Sequence, residues 1–236
     1  MQSKHIGIII MILIISSTAH ADRRFYIWSY QFSTVSPGEW ELESYSTLSF
    51  LRSGYKMNSF QQQIEAEYGI TQRFDVGVYQ VISKTMSSPL KLESFKLRGR
   101  FKLSQKGDLL VDPLIYLEWE RSYDFKEPNV IEAKIVLAKD IGSLNFSING
   151  NIEREIVKAA DFETSVTAGI SYEISPVLRF GLESVNELKR EHGANFGIGP
   201  SISVATKEIW ITGGFYSGIT KSSSGLNVRI IFGFDL

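Results

Sequence analysis

From residue 39 onward, apolar and polar side chains alternate with a period of two. The last segment shows this most clearly. Leu226, Val228, Ile230, Phe232, Phe234 and Leu236 are apolar, and Asn227, Arg229, Ile231, Gly233 and Asp235 stand between them. Successive side chains of a strand face opposite sides, so this pattern describes a strand with one apolar and one mostly polar face. It recurs back along the chain. Phe60, Ile64, Ala66, Tyr68 and Ile70 alternate with Gln61, Gln63, Glu65, Glu67 and Gly69. Phe95, Leu97, Gly99, Phe101 and Leu103 alternate with Lys96, Arg98, Arg100 and Lys102. Leu144 to Ile152 and Val166 to Ile174 repeat it, the former with Asn145, Ser147, Asn149 and Asn151 on its polar row.

Segmentation at the turn signals predicts twelve strands: 39–50, 60–71, 74–82, 90–103, 109–121, 129–141, 144–153, 163–174, 178–186, 195–205, 209–217 and 225–236. Short turns fall at Thr71–Arg73, Ser104–Asp108, Gly142-Ser143, Ser175–Val177 and Thr206–Glu208. More polar and longer loops fall between them at 51–59, 83–89, 122–128, 154–162, 187–194 and 218–224. Strict alternation of short and long connections predicts an all-β fold, a closed antiparallel up-and-down transmembrane β-barrel of about twelve strands, spanning 39–236. Closure pairs every backbone donor and acceptor, as a lipid environment requires. An even strand number leaves both ends of the sheet on the periplasmic side. The rival is a secreted soluble β-sandwich, whose strands also alternate but should be shorter.

Residues 1–21 read as an export signal. Lys4 and His5 precede an apolar run, Ile6 to Ile15, and Ala19-His20-Ala21 is an A-x-A cleavage site at Ala19 and Ala21. That run is about ten residues, against the ~20 needed for a helix to span a bilayer. Residues 22–38 carry Phe25, Ile27, Trp28, Tyr30 and Phe32 and end at Pro37-Gly38. They are expected to form a plug, a periplasmic arm or an extra strand, packed at the periplasmic mouth of the barrel. The Phe-rich end of the chain, Phe232, Phe234 and Leu236, resembles the terminal strand through which outer-membrane barrels are recognised by the insertion machinery, with Leu in place of the usual last Phe.

Composition narrows the chemistry. With 25 Lys+Arg against 26 Asp+Glu, the chain lacks the basic excess of a nucleic-acid binder. It has no cysteine, which excludes disulfides, thiolate metal sites and a cysteine nucleophile. After removal of the signal, His192 is the one histidine, in the charged run Glu187 to Gly193 that is read as a solvated outer loop. No serine can be assigned beside it, so a lipid-modifying enzyme has the weakest support. No zinc-ligand set or phosphate loop is present, and no cofactor is implied.

The polar face is the more informative one. Lys96, Arg98, Arg100 and Lys102 form a basic row, and the next strand offers Asp112, Glu118 and Glu120, so Arg100 is expected to lie near Asp112 across the hairpin. The strand on the other side offers Asp75, and the one beyond it Glu65 and Glu67. Two readings follow: a salt-bridged ladder filling a narrow lumen, or a charged path for a polar or anionic solute. Glu41 and Glu43 lie on the same side of the first strand and are expected to reach the basic row only across the lumen. Trp40, Tyr68, Phe74, Phe101, Trp119, Tyr172 and Phe180 fall toward strand ends, as interfacial aromatic girdles do.

Two stretches, Pro37-Gly38-Glu39-Trp40-Glu41-Leu42-Glu43 and Glu65 to Phe74 (EAEYGITQRF), resemble motifs of a broad group of uncharacterised bacterial outer-membrane β-barrels, similar to transporters of the phenol-degradation (MetA-pathway) type. The resemblance covers the first third of the chain and carries no binding residues. It implies an outer-membrane barrel that takes up small hydrophobic or aromatic molecules. Three functions remain open: a channel or transporter for an unknown small molecule, a non-conducting envelope barrel acting through structure or its loops, and, last, a lipid-modifying enzyme. The expected partners are outer-membrane lipid, the insertion machinery and the solute, with no nucleic acid.

Overall fold

The computed structural model describes residues 23–53, 56–189, 193–220 and 225–236. The proposed signal segment with Ala19 and Ala21, and His192, lie outside these residues. Twelve strands form one closed antiparallel sheet: β1 (Trp40–Phe50), β2 (Met57–Thr71), β3 (Phe74–Thr85), β4 (Ser88–Lys102), β5 (Asp112–Ser122), β6 (Val130–Ile141), β7 (Leu144–Glu155), β8 (Glu163–Ser175), β9 (Leu178–Lys189), β10 (Gly193–Ala205), β11 (Ile209–Gly218) and β12 (Leu226–Asp235). Each pairs with its sequence neighbours, and β1 closes on β12 from Glu41↔Asp235 to Phe50↔Leu226. Among the described residues no helix is long and apolar enough to cross a membrane.

The period of two sorts the barrel into an outside and an inside. Leu42, Leu97, Leu117, Ile148, Ile170, Ile202, Ile230 and Phe232 are all exposed on the exterior. The alternate positions are buried and mainly polar, among them Glu43, Glu65, Arg98, Glu118, Asn149, Glu183, Ser203 and Thr212. A soluble sandwich buries its apolar rows; this sheet does the opposite, which is the arrangement of a barrel facing lipid. Aromatic pairs mark the strand ends: Trp40 and Tyr68 at 4.7 Å between ring centroids, and Phe74 and Phe101 at 6.4 Å, sit where β1–β4 meet the short turns. Phe95 stacks with Trp119 at 5.4 Å toward the opposite end.

The connections depart from strict alternation. The hairpin expected as a loop at 83–89 is tight, because β3 and β4 continue to Thr85 and Ser88, and of the loop expected at 187–194 the ends belong to β9 and β10, which run to Lys189 and from Gly193. Polar residues there continue the sheet rather than leave it. In the other direction, the turn expected at Ser104–Asp108 runs from 103 to 111, held by Gly107 N–H donating to Asp112 (2.6 Å) and by a Lys106–Asp140 ion pair (2.6 Å).

A barrel of about eight strands is filled by its own side chains, and a larger one needs further contents or stays open. Here residues 23–38 supply the contents. They enter beside the β8–β9 turn, where Arg23 donates to the Pro176 carbonyl (2.9 Å) and pairs with Glu173 (3.2 Å). They cross the lumen and return to the wall at Gly38, whose N–H donates to the Gly69 carbonyl (2.8 Å) just before β1. Tyr26, Ile27 and Ser29 are fully buried inside the ring of strands. The Tyr26 ring lies flat on Gly169 of β8, where a Cβ would stand 2.5 Å from Cε1; any side chain at 169 displaces this ring.

Candidate functional site

The inward row of β4 meets β3 and β2 in one cluster. Arg98 Nη2 lies 2.7 Å from Glu65 and 2.6 Å from Glu67, and Nη1 lies 3.1 Å from Asp75. Arg100 Nη2 lies 2.5 Å from Glu67 and 2.6 Å from Asp75. Arg98 reaches past β3 to β2 because its register partner is Gly77: a Cβ there would stand 2.4 Å from Glu65 Oε1 and 2.8 Å from Arg98 Nη2. The ladder continues along β1, next to β2. Glu43 faces Glu65 in register, and the Tyr45 hydroxyl bridges the two, meeting Glu65 at 3.1 Å. Glu43 therefore joins the cluster around the wall, without crossing the lumen, while Glu41 accepts the Trp210 indole N–H at 2.7 Å.

Arg100 does not meet Asp112. The long connection offsets the hairpin so that Lys102 faces Leu114 and Arg100 faces Tyr116, leaving Asp112 below the basic row on Gly107. Lys102 lies 5.5 Å from the Phe32 ring. Toward the loop end, Lys96 pairs with Glu118 (2.9 Å) and Glu120 (3.1 Å), and Lys134 with Glu132 (2.9 Å). Of the ten charged positions singled out in the sequence, Glu65, Glu67, Asp75, Arg98 and Arg100 form the sealed ladder. Lys96, Glu118 and Glu120 form a second, partly accessible group, Asp112 is held on Gly107, and Lys102 lies by the Phe32 ring.

The inner segment is bound mainly by residues to which sequence reasoning gave no role: Asn149 was read on a polar row, and Glu183, Ser203 and Thr212 were not singled out. Glu183 of β9 accepts three consecutive backbone N–H groups, from Ile27 (2.8 Å), Trp28 (2.9 Å) and Ser29 (2.9 Å). Asn149 of β7 accepts from Tyr30 N–H (2.6 Å) and donates to its carbonyl (3.1 Å). Ser203 and Thr212 donate to the Arg24 carbonyl at 2.8 and 2.7 Å. Asp75 accepts Val35 N–H (2.9 Å), so the salt-bridge ladder is also an anchor for the segment. Irregular backbone inside a barrel must find partners for its N–H and C=O groups, and the Asn, Ser, Thr and Glu rows provide them. A signal was present in the alternation of Asn145, Ser147 and Asn149, but a wet lumen calls for the same polar row, so the pattern does not single out an inner segment.

The segment divides the lumen. On the turn side lies a cavity of about 280 Å³ bounded by Phe32, Thr34, Lys102, Asp112, Asp140 and Asn145. On the loop side lies one of about 140 Å³ bounded by Arg24, Trp28, Tyr79, Lys96, Glu132 and Arg229. Between them, Tyr30 and Phe32 pack on Leu114, Tyr116, Val136 and Ala138. In this conformation the lumen is closed by packed side chains, and polar cavities stand on both sides of the closure.

No family model matches the chain, and no curated protein matches it in sequence. Solved structures match it in shape. The NanC porin superposes with a TM-score of 0.63 at 12% identity, over 83% of this chain and all (100%) of that one. An outer membrane channel from Pseudomonas putida F1 gives 0.61 at 8% identity, over 87% of this chain and 98% of that one. The KdgM porin gives 0.60 at 6%, over 82% and 98%. Identity this low carries the fold alone, and the fold is that of outer-membrane channels and porins: a closed twelve-strand antiparallel barrel.

Proposed function

We propose that this chain is an outer-membrane channel for small molecules that is held closed by its own inner segment. One observation carries the reading: residues 23–37 block the lumen through hydrogen bonds to polar wall groups, with a polar cavity on either side. Ile27, Tyr30 and Phe32 also pack on apolar wall residues, so the closure is part apolar packing and part polar seam. A polar seam is one that water can replace when the segment withdraws. Withdrawal would expose Arg98, Arg100, Glu65, Glu67 and Asp75 to the lumen and make them the charged walls of a path. The path suits small polar or charged solutes. The uptake of aromatic molecules implied by the PGEWELE and EYGITQRF stretches is supported here only by the rings at its centre, Trp28, Tyr30, Tyr79 and Tyr116. Export through residues 1–21, with cleavage after Ala21, and insertion read from Phe232, Phe234 and Leu236 complete this reading.

Two measurements test it. Leu117 is an exposed exterior residue midway along β5. In lipid, Leu117→Arg should destabilise the barrel by about 2–4 kcal/mol; unchanged urea unfolding in vesicles would argue against a bilayer around this belt. Planar-bilayer recording tests conduction. The full chain should show rare, brief openings, and excision of residues 23–37 should give steady, ion-selective current. Silence from both, in protein shown to be folded, would favour the second reading, a non-conducting envelope barrel, to which the filled lumen also gives support.

A further inference from the structure

The loop-side cavity has a feature that closure of the lumen does not require. Two guanidinium groups border it, Arg24 from the inner segment and Arg229 from β12. Among the described residues, neither forms an ion pair. Arg24, 3% exposed, donates to the Tyr45 hydroxyl and the Ser29 carbonyl, both at 3.3 Å, and feels the Glu43 and Glu183 carboxylates only through space. Arg229 donates to Thr47 Oγ1 (2.8 Å) and the Ile27 carbonyl (3.1 Å). Arg24 Nε and the Trp28 indole N–H, in the same wall, are buried without an acceptor. The cavity's acids are already engaged: Glu118 with Lys96 and the Tyr116 hydroxyl, and Glu132 with Lys134. Glu183 spends both oxygens on backbone amides.

Burying a cation without a direct ion-pair partner is costly, and two cations on one small cavity repel. Both are nevertheless held in place by aromatic faces, Arg24 at 4.0 Å from the Tyr30 ring and Arg229 at 3.8 Å from the Trp28 ring. Stacking fixes the guanidinium planes, and each guanidinium keeps N–H groups beyond the bonds named here for a carboxylate to meet.

We propose that this cavity is a binding site for a small carboxylate, held between Arg229 of the wall and Arg24 of the inner segment. Guanidinium and carboxylate match in a two-pronged geometry. A volume of about 140 Å³ equals roughly four or five waters, so the occupant is a monocarboxylate of few heavy atoms. It would tie the inner segment to β12 and so stabilise the inserted, closed arrangement, since a ligand favours the state in which it makes more contacts. The proposal rests on where the inner segment lies and is independent of whether the barrel conducts.

Ligand-observed NMR on the refolded full chain in micelles, with sodium acetate and sodium benzoate at fixed ionic strength, tests it without measuring current. Saturable binding of at least one of the two is expected, weakened about tenfold or more in Arg229→Gln, the loss of one charge-assisted contact. Arg229→Lys should fall between, and Lys158→Gln on an exposed loop should match the parent. Should Arg229→Gln fail to fold, Arg24→Gln on the inner segment gives the same comparison. Absence of saturable binding by both carboxylates, or undiminished affinity in the arginine variants, overturns the site. Equal binding of chloride overturns the carboxylate. A silent bilayer together with carboxylate binding would end the channel reading and leave this one standing.

Discussion

Replacement of Glu183 by alanine should raise the open fraction of the barrel by about a hundredfold. The Glu183 carboxylate is 1% exposed and is the largest single anchor of the inner segment, accepting three backbone N–H groups at 2.8, 2.9 and 2.9 Å. Hydrogen bonds to a charged group contribute about 1.5–3 kcal/mol each, and three that share one side chain do not add in full. A net loss of about 3 kcal/mol is a modest sum, and it corresponds to roughly two decades in the inserted-to-withdrawn equilibrium. Alanine also leaves the three N–H groups without acceptors for as long as the segment stays inserted. Glu183→Gln should fall between, since one amide oxygen can still accept while the NH₂ opposes the remaining donors. Single-channel open fraction, with Lys158→Ala as reference, is the measurement. An unchanged open fraction in Glu183→Ala, alongside steady current from the excised chain, would move the latch to Asn149 and Asp75.

Arg98→Ala should be the most destabilising single substitution in the wall. It removes the one cation that touches Glu65, Glu67 and Asp75 together, from a site where its side chain is 0% exposed. A buried ion pair adds little net stability over an apolar pair, but removal of one partner leaves charge uncompensated and costs about 3–5 kcal/mol. Here Glu67 and Asp75 would depend on Arg100 alone, and Glu65 would lose its direct ion pair. Arg98→Lys keeps the charge and loses the fork that serves three acceptors, so it should recover only part of the loss. Urea unfolding in lipid vesicles, read by the heat-dependent gel shift of folded barrels, checks both variants. Parent-like stability of Arg98→Ala would mean that the acids are hydrated, and that the ladder is wet even in the closed state.

The period of two was enough to place the rows read from β2, β4, β7, β8 and β12 on their correct faces, because side-chain alternation is a local property of an extended backbone. It set twelve strands to within a few residues, the closed sheet, and the grouping of Glu65, Glu67, Asp75, Arg98 and Arg100 on one interior surface. Register is not local. The nine-residue connection 103–111 carried Asp112 away from Arg100, and nothing in the alternation of either strand records its length. Nor does it record that Gly77 leaves the opening through which Arg98 crosses to β2. The inner segment lay furthest from sequence reading. Phe25 to Phe32 carry no strand period and pair with no strand, so their place was decided by the volume of a lumen that twelve strands enclose and cannot fill. Polar rows on β7, β9, β10 and β11 meet there only after the barrel closes, and the same closure sets Arg229 of β12 beside Arg24 on one cavity. The sequence by itself determined what faces in and what faces out. Tertiary structure decided what the inward groups meet, since closure joins rows far apart in the chain.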